Sequence, residues 1–254
     1  MICLLPEVLC LMNPATRQRW PSCGGWRWKR GLLSENPECM STIVLIRAGC
    51  TDYEDAHRLL GNLSVPLNAR GTGQIREIVQ RLQQQQVSLE VILTSPENPA
   101  SGTAHEVARA FPRLKVKQLE ELRNVNQGLW QGLPENDVRR RFPRFFRSGK
   151  EDPTAICPPE GETLSDACQR LESVLCRALR RYRVFAVVAP EPLASVIRCT
   201  VQHRRMRMTD CLCGEESGEL VQVLQSSSFE AAGFAGVTES CGEFVPLSGQ
   251  GTET

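Results

Sequence analysis

The hydrophobic positions of this chain switch repeatedly between two periods from residue 42 onward. Ile43-Val44-Leu45-Ile46-Arg47 is a continuous apolar run ending in a charge, the pattern of a strand buried on both faces. After Gly71, Ile75, Ile78, Val79 and Leu82 recur at helical spacing. Leu89 to Leu93 predicts a second strand ending at Thr94-Ser95-Pro96, and Gly102 to Phe111 a short helix. Val116 to Leu119 predicts a third strand. Pro134 to Arg147 reads as helical, with Pro143 breaking or kinking it. Thr163 to Tyr182 carries Cys168, Leu171, Val174, Leu175 and Leu179 along one stripe, which predicts a long amphipathic helix. Val184 to Val188 is a second fully apolar strand, and Leu220 to Leu224 predicts the last one.

Strand–helix alternation of this kind implies an α/β protein, a three-layer α/β/α sandwich around a mainly parallel central sheet. Sites in such sheets form at the carboxyl ends of strands. Arg47 and Ala189-Pro190 both fall at such ends, so the fold should bring them together. The sandwich is expected over residues 40–225. Residues 1–39 lack either period and hold Trp20, Trp26 and Trp28; they read as a disordered extension or as a misassigned start upstream of Met40. The run Ile2 to Met12 is short and broken by Pro6 and Glu7, a poor signal peptide and no transmembrane helix. Residues 226–254, rich in Ser, Gly and Glu, read as a mobile tail.

Composition changes this picture in two ways. A formal net charge of +1 over 254 residues gives no global electrostatic case for nucleic acid or membrane as partner. Twelve cysteines lack zinc-ligand spacing, because Cys211-Leu212-Cys213 is too tight and no second pair stands beside a histidine. No metal or other cofactor is implied, and free or buried thiols in a reducing cytoplasm are expected. The histidines are His57, His105 and His203.

The chemistry-bearing residues follow the first strand. Arg47, Gly49, Thr51, Arg58, Gly61, Pro66, Leu67, Arg70, Gly71 and Gln74 stand at offsets that resemble, without a gap, the signature of the histidine phosphatase superfamily, the phosphoglycerate mutase-like proteins. Thr94-Ser95-Pro96 with Thr103-Ala104, then Leu122, Gly128, Trp130 and Gly132, then Pro158, Pro159, Gly161, Glu162 and Thr163 resemble later segments of that family. The resemblance covers roughly residues 42 to 200. It implies the phosphoglycerate mutase-like fold and a phosphomonoester chemistry run by two histidines and a glutamate.

Those functional positions are where the chain departs from the family. The nucleophilic histidine falls on Ala48, the second histidine on Pro190 and the acid glutamate on Asn124. An arginine falls on Pro99, a phosphate-holding asparagine on Glu54 and a glycine on Glu191. A methyl group cannot attack phosphorus, an amide is no useful acid, and proline offers no N–H to a phosphoryl oxygen. Glu54 would oppose a phosphate about 4 Å away by about 1 to 4 kcal/mol.

The reading is therefore a catalytically degenerate relative, a pseudophosphatase. Arg47 and Arg58, with Gly49 and Thr51, form either a remnant anion site or a set of structural ion-pair partners. Its partner would be an anion, a phosphorylated small molecule or a protein. One alternative is an active phosphomonoesterase or mutase-like enzyme in which Cys50 or His57 substitutes. Another is a purely structural interaction module whose cleft is filled by its own side chains.

Overall fold

The computed structural model describes residues 41–145, 147, 157–202, 204, 212 and 218–225. Expectations for 1–39 and 226–254, and for His203, lie outside them. The described elements run β1 (Thr42–Arg47), α1 (Asp52–Asp55), α2 (Ala69–Gln84), β2 (Val91–Thr94), α3 (Ala100–Arg109), β3 (Lys115–Gln118), α4 (Glu135–Arg141), α5 (Leu164–Leu179), β4 (Val184–Ala189), α6 (Leu193–Val201) and β5 (Val221–Gln225). The strands form one five-stranded sheet in the order β3-β2-β4-β1-β5. β1, β2, β3 and β4 are parallel, and β5 closes the far edge antiparallel to β1.

The period of two along each strand sorts the core into two layers. Ile43, Leu45, Val91, Leu93, Phe185 and Val187 face α5 and α6. Val44, Ile46, Ile92, Ala186 and Val188 face α2 and α3. Both faces are covered, which is why β1 and β4 read as unbroken apolar runs. In α2 the stripe Ile75, Ile78 and Leu82 lies on the second layer, each at 5% exposure or less. Full burial of a side chain of that size contributes about 1.5 to 3 kcal/mol.

Local signals explain where the helices begin. The Asn68 side chain accepts a hydrogen bond from Gly71 N–H at the start of α2. Thr163 and Asp166 cap each other at the start of α5. α4 ends at Phe142, the residue before Pro143, after which residues 143–145 resume a helical turn. The expected helical stretch Pro134 to Arg147 is thus broken where proline demands.

Two helices escaped the sequence reading. α1 is four residues long, and every residue of α6 is buried, so α6 has no polar face to show a period. Among the described residues, no helix is long and apolar enough to cross a membrane.

Candidate functional site

β1 and β4 are register partners, and Arg47 stands directly beside Ala189 at the carboxyl end of the sheet. The backbone holds this junction: Ala48 N–H donates to Ala189 C=O at 2.9 Å, and Arg47 N–H to Leu220 C=O at 2.9 Å. Ala48 is 3% exposed and packs into the layer formed by α2 and α3. Each signature residue after it is then tied to the scaffold. Gly49 N–H donates to Thr103 Oγ1 at 2.9 Å, and Cys50 N–H to Gln74 Oε1 at 2.8 Å. A Cβ on Gly71 would stand 2.3 Å from the carbonyl oxygen of Cys50, so only glycine lets α2 lie against this loop.

Glu54 has a structural occupation. Its carboxylate accepts the Thr51 N–H at 3.0 Å, while Thr51 Oγ1 accepts the Glu54 N–H at 3.4 Å, a reciprocal cap on α1. The Thr51-x-x-Glu54 spacing is the sequence signal for it. The same carboxylate lies 3.5 Å from Arg47 Nη2, in a pair whose side chains are 12% and 20% exposed. Burial pushes the Glu54 carboxyl above its usual range, and Arg47 opposes that.

A second carboxylate comes from the β4–α6 turn. Glu191, 6% exposed, accepts the Ser195 N–H at 3.1 Å near the amino end of α6. Burial raises this carboxyl too, against its hydrogen bond from Ser195 and the charges of Arg47 and Arg198. Arg47 therefore sits under the influence of two carboxyl groups of its own chain.

The acid position, Asn124, is a clamp. Its Nδ2 donates to Gly61 C=O at 2.7 Å and to Glu191 C=O at 2.9 Å, and its Oδ1 accepts Leu193 N–H at 3.2 Å. A glutamate could not donate the first two of these bonds while ionised. Pro190 lends its carbonyl to Ala194 N–H. The cleft bounded by Gly61, Ser95, Asn98, Asn124 and Pro190 has a volume of about 10 Å³, the lower limit for one water molecule.

The remaining expected site residues are dispersed. Arg58 is exposed and gives its Nη1 to the Gly132 carbonyl at 2.7 Å. The two arginines expected as one anion site thus each have a protein partner of their own, Glu54 for Arg47 and the Gly132 carbonyl for Arg58. Cys50 is buried, and its thiol faces Asp55 at 3.4 Å. Burial, the Glu54 charge and the bond to Asp55 push its pKa up to about 12, so it is a thiol at neutral pH, not the thiolate a substitute nucleophile requires. His57 is exposed at a positive φ of 50° in the turn that ends α1, with its carbonyl accepting Glu135 N–H. His105 is exposed on α3, with its Nδ1 2.8 Å from the Ser101 carbonyl oxygen. Among the described residues, no three His, Cys, Asp or Glu side chains converge to hold a metal ion.

The chain is similar in sequence and in fold to known proteins. The chain is similar to phosphoserine phosphatase 1 of Hydrogenobacter thermophilus, 27% identical over 143 residues, 56% of this chain and 66% of that protein. It is similar to the same degree to the uncharacterized phosphatase PhoE of Bacillus subtilis, over 56% of this chain and 67% of that one. The chain thus spans about two thirds of the length of these curated relatives. Among solved structures, a mycobacterial hydrolase superposes with a TM-score of 0.64 at 23% identity, covering 76% of this chain and 94% of its own, a likeness of fold. The sequence model of the histidine phosphatase superfamily (branch 1) matches residues 43–211, from the first strand past α6. A match over well more than half of the 254 residues, on a phosphoglycerate mutase-like sheet, makes this chain a member of the histidine phosphatase superfamily.

Proposed function

We propose that this protein is a catalytically silent member of its superfamily, one that acts by binding a partner instead of turning over a phosphomonoester. The observation that carries the reading is the state of Arg47. It lies next to Ala48 and is balanced by Glu54 and influenced by Glu191. Within the superfamily resemblance, that position should hold an imidazole and its surroundings should be electropositive. Here a phosphate dianion would meet two carboxyl groups. Each opposes it by about 1 to 4 kcal/mol at about 4 Å if ionised. Both must instead take up protons or move before a ligand could enter. Losing nucleophile and acid together removes on the order of a million-fold in rate in a well-studied protease. The neutral Cys50 thiol supplies no replacement.

The test is direct. Phosphoserine, p-nitrophenyl phosphate and bisphosphoglycerate are incubated with the full chain, and released phosphate is measured. Thermal unfolding is followed in parallel with inorganic phosphate. The expected outcome is no release above buffer and no upward shift in midpoint. A bound ligand at 100 times its Kd would instead add about 2.7 kcal/mol. Ala48→His alone stays silent, since Asn124 and Pro190 remain. Turnover at the level of active relatives, abolished by Arg47→Ala, would overturn the reading.

A further inference from the structure

The other end of the sheet carries charge of the opposite character. Many arginines of the described chain have an acidic partner close in sequence or space: Arg81 with Glu77, Arg109 with Glu106, Arg139 with Glu135, Arg170 with Glu162. Several cations, Arg76 on α2 among them, form no ion pair with a described residue; six of these are Arg113, Lys115, Lys117, Arg180, Arg181 and Arg183. All but Lys117 are exposed. They are not scattered. Lys117 Nζ is 2.7 Å from the Tyr182 hydroxyl oxygen and 5.4 Å from its ring centroid, and Arg181 Cζ lies 5.6 Å from the same centroid. One aromatic ring therefore gathers cations from β3 and from the α5–β4 turn. Sheet register adds the rest. Val91 pairs with both Lys115 and Phe185, so β3 and β4 flank β2, and Arg113 and Arg183 each precede that paired residue of their own strand by two positions.

Acidic groups nearby are already engaged. Glu90 accepts the N–H groups of Arg183 and Val184, Glu120 pairs with Arg123, and Glu121 pairs with Arg177.

Among the described residues β3 is also the sheet's edge: it pairs with β2 and with no other described strand. On the α5 face, two apolar rows cross the sheet and end in lysine. One runs Ile43, Phe185, Val91, Lys115; the other runs Leu45, Val187, Leu93, Lys117. Leu119 N–H donates inward to Thr94 C=O at 2.8 Å. Alternation along the strand then turns the amides of Val116 and Gln118 outward, away from the sheet.

From this we infer that β3 is a docking edge for an extended acidic segment of a partner protein. The segment adds a sixth strand beside Lys115–Gln118 and places carboxylates at alternate positions against Lys115 and Lys117. Residues i and i+2 of a strand lie on one face about 6.6 Å apart, which matches the spacing of the two lysines. Edge lysines ordinarily discourage strand addition. An acidic strand turns that repulsion into attraction, so the same two residues exclude neutral edges and admit this one. The outward amides favour a peptide over other polyanions, because a nucleic acid or an anionic lipid would use the charge but not the strand edge. The inference is independent of whether the site at the opposite end is silent.

Fluorescence anisotropy with the full chain tests it, using a labelled peptide of about ten residues that alternates glutamate with valine. Binding is expected, with strong weakening by salt. Lys115→Glu with Lys117→Glu should weaken it at least tenfold. Arg76→Glu, an exposed cation on α2, should leave it unchanged. The pair Lys115→Gln with Arg181→Gln serves if the first pair unfolds. A peptide of the same charge with alternate amides N-methylated should bind at least tenfold more weakly. Undiminished binding by the N-methylated peptide or by both variant pairs would overturn the inference. So would absence of peptide binding, or tighter binding of a single-stranded oligonucleotide or of phosphatidylserine vesicles than of the peptide.

Discussion

At the carboxyl end of the sheet, Arg47 is 12% exposed and answered by Glu54, with Glu191 buried close enough to feel it. Away from it, on and before β3 and in the α5–β4 turn, six cations form no ion pair with a described residue. The first region spends its charge on the protein itself, through a helix cap, an ion pair and a turn. The second leaves its charge facing water. A site built to receive an anion should resemble the second region more than the surroundings of Arg47. Buried charge compensated from within acts on stability, and exposed uncompensated charge acts on association.

That contrast can be broken by mutation. The largest expected effect is Asn124→Ala. It strands the carbonyls of Gly61 and Glu191 and the Leu193 N–H in a buried turn. At about 1 to 3 kcal/mol for each unsatisfied group, denaturant unfolding should show a loss of about 4 kcal/mol. Arg47→Met comes next, at about 3 kcal/mol at pH 7, because it leaves buried carboxyls without their cation. Adding Glu54→Gln and Glu191→Gln to that variant should recover part of the loss.

A third test uses pH. Burial raises the folded values of Glu54 and Glu191 above the ordinary 4.5, so the folded state holds these protons more tightly than the unfolded one. Their contribution to stability is present at low pH and is lost as pH rises from about 4.5 through the folded values. Glu121 runs the other way, lowered by its own backbone amide and by Arg177, but it cancels in a difference. Urea unfolding across pH 4 to about 8 should therefore fall less steeply for Glu54→Gln/Glu191→Gln than for the native chain. The smallest effect belongs to Lys115→Glu, at an exposed lysine, expected within about 0.5 kcal/mol of the native stability. A loss there as large as that of Arg47→Met would erase the distinction between the two regions.

Much of the fold was legible because burial on both faces writes itself as unbroken apolar runs. β1 and β4 show this, as does the long stripe of α5. The meeting of Arg47 with Ala189 followed from strand polarity alone. α6 was not legible, because a helix buried on every side has no contrast to detect. The signature residues could be placed, but their partners could not. Nothing local in the sequence says that Arg58 reaches Gly132, 74 residues on, or that Asn124 spans Gly61 and Leu193. The role of Glu54 was within reach, since Thr51 three residues earlier marks a helix cap. Reading it as a displaced phosphate ligand drew attention to repulsion and away from that cap.

The close approach of Gly71 to the Cys50 carbonyl has a wider consequence. Gly49, Thr51, Gly71 and Gln74 tie one loop to the helices around it, α3, α1 and α2, whatever that loop later does. A recognition pattern built from such residues reports architecture. It matches chains by how they fold, and the letters to consult for chemistry are the few that no neighbouring backbone needs.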